Sequence, residues 1–456
     1  MLAAIGVADA ADLFEQIPEP LRLGRPLELP DGLSEAEVFE RLAALAARNE
    51  DAESQVCFVG AGMYDHYVPA IVDAITSRSE FLTPYTPYQP EISQGGLQVM
   101  FEFQTAMSEL TGLPVSNAGL YEGPSSVASA AYLAMGALPG RRHFVVSRGL
   151  HPHSRETLET YSAGFGSEVV EVGLEGGLTD TAALAAAVDG ETAAVILQSP
   201  NFLGAVEDLE ALGAAAKQHG ALLVVACDPM TLGILKPPGE CGADIALGEG
   251  QPLGNRLDFG GPSFGFFCAT EEQIRRMPGR IAGETEDVDG RRGFVLALQT
   301  REQHIRREKA TNNICTAQAL NALGAMIHLA WLGRRGFREL GELLVQRTAY
   351  ARQRLAAVEG VELLHEAPVV REFAVRLDAP VGAVLDRCAE RGIAAGYPLG
   401  REYPEHPDGL LVAITERRSR AQIDELAEAL GAAIAAERGA KLPDSERKAP
   451  RPEAVR

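Results

Sequence analysis

The chain has 456 residues, of which 46% are apolar, and a formal net charge of −22 at pH 7. A single hydrophobic core stops growing at roughly 250–300 residues, so this length indicates two or three cores. The negative charge argues against nucleic acid or an anionic membrane surface as a partner, because both would repel the chain.

Residues 1–59 are predicted to form an N-terminal helical segment. The run SEAEVFERLAALAARN has helical periodicity, and Ser34 followed three residues later by Glu37 is the pattern of a capping box. The start of the chain is acidic and does not resemble a secretory signal. We expect no membrane span, because no apolar run reaches the ~20 residues that a bilayer requires, and we predict a cytoplasmic location.

Between residues 60 and 310 the pattern predicts a large α/β domain. Helices are predicted in HYVPAIVDAITSR, in LQVMFEFQTAMSELTG up to Gly112, and after YEGP from Ser125. Residues 81–96 contain three prolines and are predicted to be extended. The runs HFVVS, EVVEV, AAVILQ, LLVVAC, DIALG and FGFFC then alternate with helical or loop stretches, which indicates a mostly parallel sheet.

Residues 311–436 are predicted to form a smaller C-terminal α+β domain. A long helix is predicted from Thr311 through NNICTAQALNALGAMIHLAWLG. The strands FAVRL and LLVAIT then alternate with helices such as AQIDELAEALGAAIAA. Residues 437–456 are polar, contain prolines and lack periodicity, so this tail is predicted to be disordered.

Two of the three features that a pyridoxal-phosphate enzyme of the aminotransferase-like fold requires are present in the large domain. The helix start in YEGPSSVASAA could bind a phosphate through its free N–H groups, with Ser125 and Ser126 as further donors. Ordinary helix capping explains this pattern equally well. Asp228 closes the strand LLVVACDP, where such enzymes place the aspartate that binds the ring nitrogen.

The third feature, a lysine that forms the Schiff base, is missing. The strand ADIALG leads into EGQPLG, and Gln251 stands at the position expected for that lysine, where an amide cannot form a Schiff base. The chain has only five lysines. Lys236 precedes that strand and is explained as a solvated side chain, and the other four are no better placed. The pattern indicates a fold that has lost its reactive group.

No metal site is expected. His151 and His153 in LHPHSRE have no matched third ligand, and in related folds a ring at this position stacks on the cofactor. The six cysteines are scattered without a close pair and are predicted to be reduced and buried.

Three long motifs carry a resemblance to a known family. TPYTPYQPEISQGGLQVMFEFQTAMSELTGLPVSNAGLYEGPSS, followed by GGPSFGFF and LQTREQHIRREKATNNICTAQAL, resembles glycine dehydrogenase (decarboxylating) subunit 1, the alpha half of the two-subunit P-protein of the glycine cleavage system. The resemblance runs from about residue 55 to about residue 435. It implies a pyridoxal-phosphate fold of type I, with the aminotransferase-like large domain and the smaller C-terminal domain predicted above.

The resemblance also implies partners and a reaction. In that family two alpha and two beta chains form a heterotetramer, and the beta chain, subunit 2, carries pyridoxal phosphate on its lysine. Glycine is decarboxylated, and the remaining aminomethyl group passes to the lipoyl arm of H-protein. The alpha chain completes the beta site and is expected to be inactive alone, so Asp228, Gln251, Ser125 and Ser126 would be vestigial cofactor positions.

The tyrosines of the extended segment are the site residues that the resemblance implies most strongly. Tyr85 and Tyr88 would reach the cofactor site of the beta chain, where their hydroxyls could bind phosphate or the glycine carboxylate. Gln89 and Glu91 are further candidates beside them. Packing of the tyrosines at an interface is the simpler reading of the residues alone.

Three further residues are expected near the substrate or the interface: Tyr64 in GAGMYDHYVP, and Arg301 and His304 in the charged run that continues to Asn312 and Asn313. A packed aromatic in a turn and a solvated helix face explain these residues equally simply.

Two other functions remain open from the sequence. The chain could be a self-sufficient pyridoxal-phosphate enzyme that uses an unusual lysine such as Lys236. It could also be a pseudoenzyme that binds a partner in a purely structural or regulatory role.

Overall fold

The computed structural model describes residues 1–257, 263–310, 314 and 317–439. Asn312, Asn313, the predicted start of the long helix and most of the predicted tail therefore lie outside the described residues. The chain divides into a first compact unit, Met1–Asp51, and a second that begins at Ala52. The sequence predicted this boundary at residue 59.

The first unit contains helices α1 (Leu2–Ile5) and α2 (Glu35–Ala46), with 3-10 turns between them. The predicted capping box at the start of α2 is confirmed. The backbone N–H of Ser34 donates to the Glu37 carboxylate at 2.8 Å, and the N–H of Glu37 donates back to the Ser34 hydroxyl at 3.4 Å. This exchange satisfies two helix-end donors that have no partner within the helix.

The second unit is built from the strands β1 (Val56–Cys57), β2 (Val115–Ser116), β3 (His143–Ser147), β4 (Glu168–Val172), β5 (Leu174–Glu175), β6 (Leu178–Thr179), β7 (Thr192–Ser199), β8 (Leu222–Cys227), β9 (Ile245–Glu249), β10 (Gly265–Ala269), β11 (Ile281–Glu286), β12 (Arg292–Ala297), β13 (Val361–Leu363), β14 (Glu372–Leu377), β15 (Ile393–Ala394), β16 (Tyr397–Pro398) and β17 (Gly409–Ala413). Its helices are α3 (Ala70–Thr76), α4 (Ser79–Leu82), α5 (Gln94–Thr111), α6 (Gly123–Ala137), α7 (Pro152–Phe165), α8 (Thr181–Ala187), α9 (Leu209–His219), α10 (Gln303–Arg306), α11 (Ala319–Ala356), α12 (Val381–Ala389) and α13 (Arg420–Gly439).

A seven-stranded sheet in the order β2-β10-β9-β8-β7-β3-β4 forms the centre of the second unit. Strands β4, β3, β7, β8 and β9 run parallel, whereas β10 is antiparallel to both of its neighbours. Apolar side chains cover both faces because successive residues of a strand point to opposite sides. Val225 packs in the cluster with α5 and α9, and Val224 packs in the cluster with α6 and α7.

The C-terminal part forms an antiparallel sheet in the order β13-β14-β17-β16, with α12 and α13 packed in the same hydrophobic cluster. The short strand β1 pairs in parallel with β15, so residues just after the first unit join this part. The predicted mostly parallel sheet and the smaller α+β part are both confirmed. No described helix is both long and apolar enough to cross a membrane.

Helix boundaries differ from the sequence prediction at proline and glycine residues. Residues 83–89 are non-helical as predicted, but Pro90–Ile92 form a 3-10 turn and α5 begins at Gln94. Proline is tolerated in the first turn of a helix, where its missing N–H would have no partner. For the same reason α6 begins at Gly123, two residues before the predicted start. Helix α5 ends at Gly112 in the left-handed conformation, as predicted.

Gly204, in the loop after β7, packs against the backbone of β14. Its φ is +88°, and a Cβ atom there would lie 2.0 Å from the carbonyl oxygen of Glu372. We expect Gly204→Ala to lower the free energy of unfolding by about 3 kcal/mol or more, because strain and steric overlap add. Gly176→Ala is the matched control, since its φ is +57° but nothing lies within 4 Å. Equal losses in denaturant titrations of the two variants would contradict this packing.

Candidate functional site

A cavity of about 530 Å³ lies at the carboxyl ends of β8 and β9, where α/β sheets commonly bind ligands. Its walls come from loop 61–64, the start of α6, the start of α7 and the residues that follow the two strands. The polar lining includes Tyr64, Glu122, His151, His153, Gln198, Asp228, Glu249 and Arg371. Of the four predicted vestigial cofactor positions, Asp228 lines this cavity, whereas Ser125, Ser126 and Gln251 lie beside lining residues in the chain.

The start of α6 is bound by carboxylates of this chain. The Glu122 carboxylate accepts the N–H of Ser125 at 3.0 Å and also contacts the Ser125 hydroxyl. The Glu249 carboxylate accepts the N–H of Gly123 at 3.1 Å. The hydroxyl of Ser126 donates to the carbonyl of Glu122 at 2.9 Å. Both predicted serine donors are therefore engaged within the chain.

Asp228 follows β8, as predicted, and is paired with a buried arginine. Its Oδ2 lies 2.5 Å from Nε of Arg371, and its Oδ1 accepts the N–H of Met230 at 3.0 Å. The Arg371 guanidinium carbon lies 3.4 Å from the centroid of the Tyr64 ring, and Nη1 contacts a ring nitrogen of His66. The carboxylate that would meet a pyridine nitrogen therefore already has an internal cation as its partner.

Gln251 is fully buried and binds the backbone of the cavity wall. Its side-chain oxygen accepts the N–H of Tyr64 at 2.9 Å. Its amide nitrogen donates to the carbonyls of Tyr64 at 3.1 Å and Asn255 at 2.8 Å. An amide offers a donor and an acceptor together, whereas a lysine ammonium offers only donors. Gln251 thus has a structural role that lysine could not take.

Tyr64 and Glu372 form a buried pair beside this wall. The Tyr64 hydroxyl donates to Oε2 of Glu372 at 2.7 Å, and the N–H of Ala61 donates to Oε1 at 2.8 Å. Burial raises the pKa of Glu372 to about 7, although these two hydrogen bonds favour its ionised form. Burial also raises the pKa of Tyr64 well above its ordinary value.

His66 and Glu416 extend this network of contacts from Arg371 to the segment after β17. His66 Nδ1 lies 2.6 Å from Oε2 of Glu416, and the N–H of Tyr67 donates to Oε1 at 2.5 Å. Burial alone would raise the pKa of Glu416, but the charge and hydrogen bond of His66 outweigh it and lower the pKa to about 2. Asp228, Arg371, His66 and Glu416 thus connect the large sheet with the C-terminal part.

His151 is a neutral ring bound to the same loop. Burial lowers its pKa to about 4. Because the N–H of His153 donates to Nδ1 at 3.2 Å, Nε2 carries the proton and donates to the carbonyl of Ala61 at 2.9 Å. Within the described part of the chain, no group of three or more His, Cys, Asp or Glu side chains is arranged to hold a metal ion.

The segment that carries Tyr85 and Tyr88 lies on a different part of the surface. Tyr85 is 76% exposed and Tyr88 is 46% exposed. The Tyr88 hydroxyl accepts a hydrogen bond from Nη2 of buried Arg280 at 3.1 Å, and its ring meets the edge of His304 with 5.6 Å between centroids. The structure therefore brings Tyr88 and His304 together, while neither tyrosine is among the described residues that line the cavity.

Arg301, Gln89 and Glu91, which were predicted to lie near the substrate or the interface, do not line the cavity. Arg301 is buried and donates to the carbonyls of Met277 and Gly279, the latter at 3.1 Å, so it fixes a loop beneath the surface. Gln89 and Glu91 are exposed on either side of Pro90.

The described lysines lie away from the cavity lining. The Lys236 ammonium contacts Glu210 at the surface, and its side chain is 51% exposed. Lys441 and Lys448 lie outside the described residues.

The residues of this cavity do not fit pyridoxal phosphate. The helix donors that a phosphate needs are bound to Glu122 and Glu249, Asp228 is paired with Arg371, and Gln251, at the predicted lysine position, is a hydrogen-bonded amide. Each of the three expected contacts is filled by a group of the chain itself.

Sequence reasoning placed Asp228 and Gln251 after their strands but missed Glu122 and Arg371, which bind the helix start and Asp228. Glu122 directly precedes a Gly-Pro-Ser helix start, which is a signal for a carboxylate cap. Arg371 gave no comparable signal, because its partner Asp228 is 143 positions away in the chain.

Comparison with known proteins identifies the family. The family model described as glycine cleavage system P-protein matches residues 1–430. The chain belongs to this family. It is 49% identical over 434 residues to a probable glycine dehydrogenase (decarboxylating) subunit 1 of Geotalea uraniireducens, with 95% of this chain and 97% of that protein covered. The corresponding protein of Geobacillus kaustophilus is 48% identical over 431 residues, covering 94% and 96%.

Solved structures confirm the fold of this P-protein chain. An inhibitor-bound crystal structure of glycine decarboxylase (P-protein) of the glycine cleavage system is 43% identical, with a TM-score of 0.87 and coverage of 95% of this chain and 97% of that one. A sphingosine-1-phosphate lyase of Burkholderia pseudomallei is 19% identical, with a TM-score of 0.65 over 93% and 96% of the two chains, and supports the fold alone. The predicted pyridoxal-phosphate fold of type I is correct.

The two perturbed carboxyls predict opposite pH dependences of stability. A carboxyl with a raised pKa stabilises the folded state below its ordinary pKa, and this contribution is lost as pH rises through the folded value. For Glu372 the window runs from 4.5 to about 7. We expect Glu372→Gln to gain stability relative to the parent chain, on the order of 2–3 kcal/mol, between about pH 5 and pH 8.

Glu416→Gln is the matched control in the same network. The lowered pKa of Glu416 contributes stability above its ordinary value of 4.5, which is lost as pH falls toward about 2. This variant should be less stable than the parent at neutral pH. Parallel stability profiles for the Glu372→Gln chain and the parent, measured by denaturant unfolding across this range, would contradict the assignment.

Proposed function

We propose that this chain is the alpha subunit of a two-chain P-protein that decarboxylates glycine. A beta subunit carries pyridoxal phosphate on its lysine, and the two chains form an alpha2-beta2 heterotetramer in the cytoplasm. Carbon dioxide leaves, and the aminomethyl group passes to the lipoyl arm of H-protein. The name of the relatives, which ends in subunit 1, supports the existence of a partner chain.

One observation supports this assignment of roles: Gln251, which the sequence analysis assigned to the lysine position, is fully buried and binds the cavity wall. An amide at that position cannot bind the cofactor covalently. Lys236, the lysine that a self-sufficient enzyme would need, points away from the cavity toward Glu210. The chain is therefore inactive alone and acts through the site of its partner.

The exposed tyrosine segment is what this chain offers the beta site. Tyr85 and Tyr88 expose their rings on a surface loop, and Arg280 and His304 fix the position of Tyr88 from below. Phenol groups at an interface combine apolar contact area with a donor for a carboxylate or phosphate. We assign them to binding and orienting glycine, with Gln89 and Glu91 at the rim.

Reconstitution with the beta subunit tests the division of roles. After removal of unbound pyridoxal phosphate, borohydride treatment of this chain alone should leave no pyridoxyl label on the protein, because no described lysine lies in the cavity lining. The mixture should carry the label on the beta subunit and should catalyse exchange of the glycine carboxyl with bicarbonate. Borohydride labelling of this chain by itself would reject the proposal, and a mass spectrum would identify the lysine used.

The double variant Tyr85→Phe with Tyr88→Phe separates a substrate-binding role from a purely structural one. We expect glycine exchange by the reconstituted complex to fall about 100-fold, since two positioned donors are removed, while size-exclusion chromatography shows an intact complex. Tyr161→Phe, on α7 and 48% exposed, is the matched control and should leave turnover unchanged. Undiminished exchange in the double variant would favour the structural or regulatory alternative.

A further inference from the structure

The first turn of α6 has a complete set of hydrogen-bond partners within this chain. The N–H of Gly123 donates to Glu249, and the N–H of Ser125 donates to Glu122. Pro124 has no N–H, and the N–H of Ser126 donates to the carbonyl of Glu122 at 3.1 Å. A phosphate at a helix start is held by these same N–H groups. Any phosphate at this helix would have to displace a carboxylate.

Glu249 is held firmly in this position. Besides Gly123, its carboxylate accepts the N–H of Gln251 at 3.0 Å and contacts the hydroxyl of Ser263. Burial raises the pKa of Glu249, while these hydrogen bonds oppose that shift by favouring the ionised form. A carboxylate with three donors is fixed where it lies and does not move aside freely for a competing anion.

The charges around the cavity add to this obstruction. Glu122, Glu249 and Asp228 all line it, and the lining cation Arg371 is already paired with Asp228. A phosphate monoester would bring about two further negative charges beside the two carboxylates at the helix. Because like charges repel more strongly in a medium of low dielectric constant than in water, the carboxylates of Glu122 and Glu249 oppose the binding of a phosphate in this cleft.

We propose that Glu122 and Glu249 act as internal replacements for the cofactor phosphate and exclude phosphorylated ligands, including unattached pyridoxal phosphate, from this cavity. The inference rests on the proposed function in one respect: the cofactor belongs to the partner's site. The inference goes beyond the proposed function, because the missing lysine explains only why the cofactor is not bound covalently, whereas the carboxylates also oppose noncovalent binding. Exclusion by carboxylates means that supplying a lysine alone does not restore a cofactor site.

Equilibrium dialysis of the isolated full-length chain against inorganic phosphate and against pyridoxal phosphate tests this inference. The parent chain should bind neither ligand at millimolar concentration. Glu122→Ala with Glu249→Ala frees the N–H groups of Gly123 and Ser125, and its affinity for both ligands should rise by about tenfold or more. Gln251→Lys alone should acquire no pyridoxyl label from borohydride once unbound cofactor has been removed.

A control variant tests whether the loss of any buried carboxylate raises phosphate binding, or only the loss of the two carboxylates at this helix. Glu207→Gln removes a buried carboxylate outside the cavity and should bind no more phosphate than the parent. If the double alanine variant fails to fold by circular dichroism, Glu122→Gln with Glu249→Gln replaces it and tests the charges alone. The amides keep the side-chain shape and can still accept the N–H groups, so the expected rise in affinity is smaller but still present.

Two results would overturn the inference: phosphate binding by the parent chain in the cavity, or a folded double variant that gains no affinity. Neither result depends on glycine turnover, because the beta subunit is absent from these measurements. Failure of reconstitution with the parent chain still unable to bind phosphate would reject the proposed function and leave this inference standing.

Discussion

The guanidinium of Arg371, which keeps its proton at any ordinary pH, lies almost fully buried between the large sheet and the C-terminal part of this chain. Arg371 is 3% exposed, and burying a charge of this kind is costly unless it is paired and hydrogen-bonded. Asp228 supplies the opposite charge, and Tyr64 supplies the face of its ring. Because the arginine immediately precedes β14 and the aspartate immediately follows β8, their pairing fixes the smaller sheet against the larger one.

The polar groups of the cleft and those of the tyrosine surface differ in how they are satisfied. Inside the cleft, polar groups are satisfied by one another, as the contacts of Gln251 and Glu249 illustrate. Such a network rigidifies the fold and leaves little binding capacity for a ligand. On the surface, Tyr85 and Tyr88 present rings and hydroxyls outward, and buried Arg280 supports one of them from beneath. The exposed polar groups of this segment are therefore more accessible than those of the cleft.

Local patterns of sequence predicted most of the architecture. The capping box at Ser34, the helix end at Gly112 and the alternation of apolar strands with helices depend on residues close together in the chain, and all of them were correct. Strand order also predicted that Asp228 follows β8 and that Gln251 follows β9, whereas their roles as vestigial cofactor positions stay predictions. Glu372 and Arg371 could not be found this way, since their partners lie more than 140 residues away and only folding brings them together.

The hydrogen bonds of Gln251 have an evolutionary consequence. A lysine there would leave the buried N–H of Tyr64 without its acceptor, at a cost of about 1–3 kcal/mol to the fold. The ammonium would also enter a cleft whose helix start and aspartate are already neutralised by this chain. A single substitution would therefore reduce stability before it returned any chemistry. If the proposed roles hold, each internal contact that occupies a cofactor position makes a return to an independent enzyme less favourable.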